Sequence, residues 1–214
     1  MAAALAASPA AWAHPHMWID ARAALQFDAQ GRLAAVRQEW LFDEMFGAYA
    51  TQGLPRTQGG GLSPETLRGL AGQWMGALGE PISHYFTTVT HDGQRQAFDA
   101  PRDAAVDWNP ATSRLRLSFV LPLKSPVAPG AQGVSVDIYD PTYFVAYDFG
   151  EAGSGTVTLQ AAPPGCRVAY RPPKMPDFKT LQQLAAIPAD PDALPEELFA
   201  ITKGLTHRIE ATCS

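Results

Sequence analysis

The 214-residue sequence has no run of basic residues and no apolar segment long enough to cross a bilayer. Its formal net charge is −5 and only 17% of its residues are charged, so it lacks the basic surface that is typical of nucleic-acid binding. A membrane-spanning helix needs about 20 consecutive apolar residues, and no segment of the sequence reaches that length. We therefore expect a protein that does not bind nucleic acid and does not span a membrane.

The motifs of nucleotide-binding and hydrolytic enzymes are also missing. The sequence has no phosphate-binding loop, no G-x-S-x-G and no H-E-x-x-H. One glycine run, Gly59-Gly60-Gly61, follows no predicted strand and is interpreted as a flexible loop. We therefore expect that the protein is not an enzyme.

Cysteine is scarce, since Cys166 and Cys213 are the only two in the chain. They are far apart in sequence, whereas catalytic or metal-binding pairs are usually close. In an exported protein the two can form a disulfide, which would stabilise the fold by roughly 3 to 4 kcal/mol on the chain-entropy model. The alternative is a pair of free, buried thiols.

The first 13 residues, MAAALAASPAAWA, are uncharged and rich in alanine, as in a signal peptide. Ala11 and Ala13 occupy the positions that an A-x-A cleavage site requires. No basic residue other than histidine precedes Arg22, so we expect a leader that is truncated at its start. Residues 14–214 are then predicted to be a single β-rich domain in the periplasm.

The 19 prolines and 18 glycines favour a chain of short strands and turns. Apolar and polar residues alternate from His16 to Phe27, which predicts a half-buried strand. Further strands are predicted at 33–42, 84–90, 95–98, 104–108, 114–121, 134–139, 143–149, 156–160, 167–170 and 206–213. Helices are predicted after Asp43, after Pro64, at 180–187 and at 195–205. The expected fold class is mainly β (α+β), an antiparallel β-sandwich or sheet with a few packed helices.

Two histidines, His14 and His16, lie directly after the predicted cleavage site. Cleavage after Ala13 would give His14 a free amine, which can chelate one metal ion together with its imidazole. His16 points to the same face of a strand, roughly 7 Å along it, and imidazole nitrogens suit zinc, copper and nickel. Pro15 has no amide hydrogen, so a square-planar site built on deprotonated backbone amides is excluded. The segment predicts a site of one amine and two imidazoles.

Other residues are weaker candidates for this site. Asp20 shares the strand face of His16 but lies about 13 Å beyond it, too far for one ion. Asp140 and His84 are the candidates for additional ligands, although Asp140 suits a turn-forming role equally well. Trp18 and Tyr143, with Asp20, are candidates for the wall of the site, but aromatic residues on strands more often pack in the core. His91 and His207 are expected to be exposed and structural, respectively.

Four blocks of the sequence are distinctive: AHPHMWID, GRLAAVRQEWLFDEMF, LRLSFVLPL and VDIYDPTYFVAYDF. They resemble a bacterial family of unknown function that is described as an uncharacterised periplasmic component of ABC-type transport systems. The resemblance implies an exported protein that occurs beside transporters of nickel, cobalt or zinc. The family's motif positions correspond to His14, His16, Trp18, Asp20, Asp43, Tyr139, Asp140, Pro141 and Tyr143.

The sequence and the resemblance together predict a periplasmic metal-binding accessory protein of a transition-metal transport system. The expected cofactor is zinc, nickel, cobalt or copper, and the expected partner is an inner-membrane metal transporter. One alternative is a copper redox enzyme that uses the same histidines. The other is a β-sandwich adaptor of a membrane transporter that does not depend on metal.

Overall fold

The chain folds mainly into β-strands that form two sheets, accompanied by four α-helices in the described part of the chain. The computed structural model describes residues 15–174, 176–185 and 196–214. The predicted leader and His14 lie outside the described residues. The mainly β (α+β) class predicted from the sequence is confirmed.

Most strands begin and end within two residues of the predicted positions, but the strand that starts at Arg114 continues to Val127, six residues beyond its predicted end. They are β1 (Met17–Phe27), β2 (Leu33–Phe42), β3 (Thr87–His91), β4 (Gln94–Gln96), β5 (Arg102–Asn109), β6 (Arg114–Val127), β7 (Val134–Ile138), β8 (Val145–Asp148), β9 (Val157–Gln160), β10 (Cys166–Arg171) and β11 (His207–Cys213). The α-helices are α1 (Glu44–Ala50), α2 (Pro64–Leu78), α3 (Phe178–Ala185) and α4 (Glu196–Lys203). No helix in the described ranges is long and apolar enough to cross a membrane.

The first sheet has the order β5-β6-β2-β1-β8, and β9 also pairs with β1, beyond the end of β8. Its hairpin partners are antiparallel, as predicted, but β8 and β9 run parallel to β1. The antiparallel expectation fails there because the chain reaches β8 by crossing from the second sheet and not through a hairpin. As a result, the start of β8 lies beside the start of β1.

The second sheet has the order β10-β11-β7-β3-β4, and its inner face contributes to the same hydrophobic cluster as the first sheet. Trp40 and Phe119 of the first sheet and Val136 and Ile209 of the second are all buried there. The alternating sequence of β1 explains its part in this core, because a strand presents successive side chains to opposite faces. Ile19 on the inner face is buried, whereas its neighbour Trp18 on the outer face is exposed.

Helices α1 and α2 begin where their sequences predict. The Asp43 side chain caps α1 by accepting the Phe46 N–H at 2.8 Å, and the Ser63 side chain caps α2. Trp74 of α2 packs its ring 5.2 Å from that of Phe42 at the end of β2. These contacts fix both helices against the end of the first sheet where β1 starts.

The prediction of a strand beginning at His84 is wrong. Residues 84–86 form a 3-10 turn, and the strand β3 starts at Thr87. All three residues have positive φ angles, between 42° and 55°, although none is glycine. The sequence pattern gave no warning, because turns of this backbone conformation are usually signalled by glycine or asparagine.

The predicted disulfide between Cys166 and Cys213 is present. The two residues lie directly opposite each other at the ends of β10 and β11. The bond therefore joins the last strand of the chain to the neighbouring edge strand of the second sheet.

Candidate functional site

Three of the sequence blocks that resemble one family meet at the start of β1. We call this place the amino-terminal corner and define it by His16, Trp18, Asp43 and Phe144. These residues come from the first strand, the start of α1 and the turn before β8. The corner begins two positions after His14 in the sequence, so its geometry bears on the predicted metal site.

Phe144 holds the first residues of the corner. Its carbonyl accepts the N–H groups of His16 at 3.0 Å and of Met17 at 3.2 Å. The rings of His16 and Phe144 lie 4.7 Å apart and are tilted by 30°. The structure thus brings Phe144 of the YDPTYF segment against His16, whose side chain is exposed.

Asp140 gives the turn before Phe144 its shape. Its carboxylate accepts hydrogen bonds from Thr142 N–H at 2.8 Å, Thr142 Oγ1 at 2.7 Å and Val145 N–H at 2.9 Å. The residue is only 4% exposed, and burial raises the pKa of its carboxyl group. These bonds favour the turn-forming role, with the carboxylate inside the turn and not on the exposed face where His16 lies.

Asp43 fixes the other side of the corner. Its Oδ2 accepts the Trp18 N–H at 2.9 Å, while its own N–H donates to the Trp18 carbonyl at 3.0 Å. Its Oδ1 accepts the Phe46 N–H of α1. One carboxylate therefore joins the first strand to the first helix. The sequence predicted the helix cap, but it contained no signal for the bond to the strand.

The Asp20 carboxylate forms an ion pair farther along the exposed face of β1. Arg114 donates to its carboxylate at 2.6 Å, and also donates to the carbonyls of Phe42 at 2.7 Å and Leu41 at 3.2 Å. Sequence reasoning missed Arg114, whose only signal is its position at the start of a strand. The ion pair agrees with the expectation that Asp20 lies too far along the strand to share an ion with His16.

Trp18 and Phe144 give the corner an exposed apolar surface. Trp18 is 49% exposed and Phe144 is 39% exposed. The expectation that Trp18 packs in the core is therefore wrong, because its position on the strand places it on the outer face. Tyr143 is partly buried and packs beside Leu184 of α3, so it faces away from this surface. Burial raises the pKa of the Tyr143 hydroxyl.

The remaining metal-ligand candidates do not converge in the described part of the chain. Across residues 15–174, 176–185 and 196–214, no three side chains of His, Cys, Asp or Glu lie close enough together to hold one ion. His84 packs its ring 5.7 Å from that of Phe98, beside the second sheet. Of the two histidines of the predicted site, His16 lies within the described residues and His14 lies outside them.

A cavity of about 180 Å³ lies next to the Asp140 turn and was not predicted from the sequence. Its polar lining includes Asp140, Tyr147 and His207, and apolar side chains such as Leu181 and Leu205 cover it. A tyrosine in a strand pattern predicts a side chain packed in the core. Its actual neighbours depend on how the strands pair, so the sequence did not indicate the cavity. The cavity is formed by both sheets and by helix α3.

Two of the cavity's polar groups are buried in unusual surroundings. The Tyr147 hydroxyl has no hydrogen-bond partner among the described residues, and burial, with the nearby charge of Asp140, raises its pKa well above the usual value. His207 Nδ1 lies 2.7 Å from the Tyr170 hydroxyl. Burial lowers the pKa of His207 to about 4, so its ring is neutral at pH 7. Its buried position agrees with the structural role expected for it.

The comparisons with known proteins identify a family but no individual relative. No curated protein and no solved structure matches the chain. One family model matches residues 1–213, which is nearly the whole sequence. The match includes all of the amino-terminal corner and the cavity. The chain therefore belongs to the family described as protein of unknown function (DUF1007).

Proposed function

We propose that this protein is a periplasmic metal-binding accessory protein of a transition-metal transport system. It binds zinc, nickel, cobalt or copper at the processed amino terminus His14-Pro15-His16. The observation that carries the proposal is the position of His16. Its ring is exposed at the start of β1 while its backbone is fixed by the Phe144 carbonyl.

The hydrogen bonding at this position limits the coordination chemistry. Pro15 has no N–H, and the His16 N–H is donated to Phe144. Neither amide nitrogen is therefore free to lose a proton and bind metal. The proposed ligands are the amine and imidazole of His14 and the imidazole of His16, a set that suits zinc, copper and nickel.

Export is part of the proposal, and two features support it. The Cys166–Cys213 disulfide is a bond that persists in oxidising compartments such as the bacterial periplasm. Ala11 and Ala13 fit the pattern of a signal-peptidase site directly before His14. Cleavage at this bond creates the amine that the site needs.

The proposed site is suited to handing its metal to another protein. Three protein nitrogens leave at least one coordination position for water or for a ligand from a partner. Trp18 and Phe144 place exposed apolar surface beside His16, on which a partner can dock. We propose an inner-membrane metal transporter as that partner.

Equilibrium dialysis tests this proposal, using the protein that starts at His14. Zinc, nickel, cobalt and copper are each compared on the unmodified protein and on the His16→Ala variant. A His91→Ala variant is the control, because it removes a histidine from the far sheet without touching the corner. We expect His16→Ala to weaken binding of the preferred metal by at least about tenfold, equivalent to roughly 1.4 kcal/mol, and His91→Ala to leave it unchanged. Equal affinities for all three proteins would refute the proposal and favour a metal-independent adaptor.

A further inference from the structure

The cavity beside the Asp140 turn has the size of a small-molecule site. Its volume is about 180 Å³, somewhat larger than an engineered protein cavity of roughly 150 Å³ that holds benzene. The residues that line it do not include His16, so it is distinct from the proposed metal site. The cavity is therefore considered as a separate candidate ligand site.

The buried ionisable side chain of Asp140 gives the cavity a negative charge. Its carboxylate accepts hydrogen bonds from neutral donors, among them Thr142 and Val145, and no ion pair joins it to a cationic side chain within the described ranges. His207 supplies no positive charge, because its ring is neutral at pH 7. Lys174 also lines the cavity, but its side chain is exposed to solvent. A buried carboxylate without a counter-charge is costly unless a cation joins it.

A second polar group in the cavity wall lacks a partner. Tyr147 is buried, with only 9% of its surface exposed. Its hydroxyl makes no hydrogen bond to any described residue. An unsatisfied buried hydroxyl costs about 1 to 3 kcal/mol, so such groups usually have a ligand or water as partner. Tyr147 and Asp140 both line the cavity, and Tyr147 lies close enough to Asp140 for the carboxylate charge to act on its hydroxyl.

The remaining walls are aromatic or apolar. The rings of Tyr139 and Tyr143 line the cavity together with Val145, Leu181 and Leu205. Aromatic rings attract cations through their faces, and aliphatic side chains favour an apolar ligand body. A carboxylate, tyrosine rings and an apolar floor together select a positive charge attached to a hydrocarbon group.

We propose that this cavity binds a small organic cation, an ammonium group on a compact apolar body. The ammonium group donates to Asp140 and Tyr147, and the apolar body packs against Tyr143 and Leu181. This assigns the protein a second ligand site that does not depend on the metal site. An anion is disfavoured because it would face the Asp140 carboxylate at close range.

Three probes of nearly equal size and different charge test the proposal. Benzylamine is cationic at pH 7, benzyl alcohol is neutral and benzoate is anionic. Each is titrated into metal-free, isotope-labelled protein while the backbone amide signals of residues 139–147 and 207 are followed by NMR. We expect benzylamine to shift these signals saturably with a Kd of about 1 mM or tighter, and the other two probes to bind at least about tenfold more weakly.

Three variants locate the interaction. Tyr147→Phe removes a hydroxyl that makes no hydrogen bond in the described structure, so the fold should survive while benzylamine binding weakens by about threefold or more. Lys174→Ala removes a positive charge at the cavity and should strengthen benzylamine binding. Lys124→Ala, at an exposed position on β6 away from the cavity, is the matched control and should change nothing.

The outcomes separate the possibilities clearly. Benzylamine binding that Tyr147→Phe weakens and Lys174→Ala strengthens would support the proposal. Benzoate binding that depends on Lys174 would overturn it in favour of an anion site. Absence of saturable binding by benzylamine, or equal binding of all three probes, would also overturn it. Because the protein is metal-free throughout, none of these results depends on the proposed amino-terminal metal site.

Discussion

The Phe144 carbonyl accepts the His16 N–H at 3.0 Å, and the rings of the two residues lie 4.7 Å apart. Two segments that are far apart in the sequence thus meet at the start of the first strand. The parallel pairing of β1 with β8 makes this contact possible. His16 and Met17 are therefore held in one defined place, as the proposed metal site requires.

Replacing Asp43 should destabilise the amino-terminal corner. The Asp43→Ala variant loses a helix cap and the bond to the Trp18 N–H. We expect the free energy of unfolding to fall by about 2 kcal/mol, combining a cap of about 1 kcal/mol with a hydrogen bond of similar size. Urea unfolding measures the change. Ser63→Ala, which removes only the cap of α2, should cost about half as much. Equal losses in the two variants would show that the bond to the strand contributes nothing.

Gly47 should tolerate no side chain. A Cβ atom at this position would clash with the Ser113 carbonyl oxygen, so Gly47→Ala must shift the turn between β5 and β6. We expect a loss of about 2 to 3 kcal/mol in the free energy of unfolding. Gly72→Ala on α2 is the matched control, since nothing lies within 4 Å of its added methyl group. That variant should gain up to about 1 kcal/mol from helix propensity. A neutral Gly47→Ala would contradict the observed packing of α1.

The disulfide should contribute substantially to stability. It closes a loop with a sequence separation of 47 residues, for which chain entropy predicts about 4 kcal/mol. Urea unfolding with and without a reducing agent measures this contribution. The Cys166→Ser, Cys213→Ser double variant should match the reduced protein and should not respond to the reductant. Unchanged stability on reduction would contradict the prediction.

Protonation of His207 should destabilise the fold in mild acid. Burial lowers the pKa of His207 from 6.5 to about 4, so the unfolded chain takes up the proton before the folded one does. The stability contributed by the neutral ring is therefore complete above pH 6.5 and declines as the pH falls from 6.5 to about 4. The decline should reach about 3 kcal/mol.

The raised pKa of Asp140 acts in the opposite direction, so the test compares two proteins. Unfolding free energies of the unmodified protein and of His207→Gln are measured from about pH 7 to pH 4. The unmodified protein should lose more stability over this range than the variant does. Parallel curves would show that His207 does not titrate as its burial implies.

The strands could be predicted because their alternating pattern is local in the sequence. The disulfide could be predicted because the chain has only two cysteines. The alternation in β1 assigns each side chain to a face, and two cysteines allow only one intramolecular pair. The turn at residues 84–86 was missed because its positive φ angles occur without glycine. The joint position of His16 and Phe144, and the cavity at Tyr147, depend on parallel pairing across two sheets. A single sequence contains no direct signal for such non-local pairing.

The most direct test of the central claim compares two proteins that differ only in the amino group of His14. Both begin at His14, but in the second the α-amine of His14 is acetylated and cannot bind metal. Isothermal titration with copper, zinc, nickel and cobalt gives the affinity of each. We predict that the preferred metal binds the protein with the free amine at least about tenfold more tightly. Equal affinity in the two proteins would contradict the claim that processing after Ala13 creates the metal site.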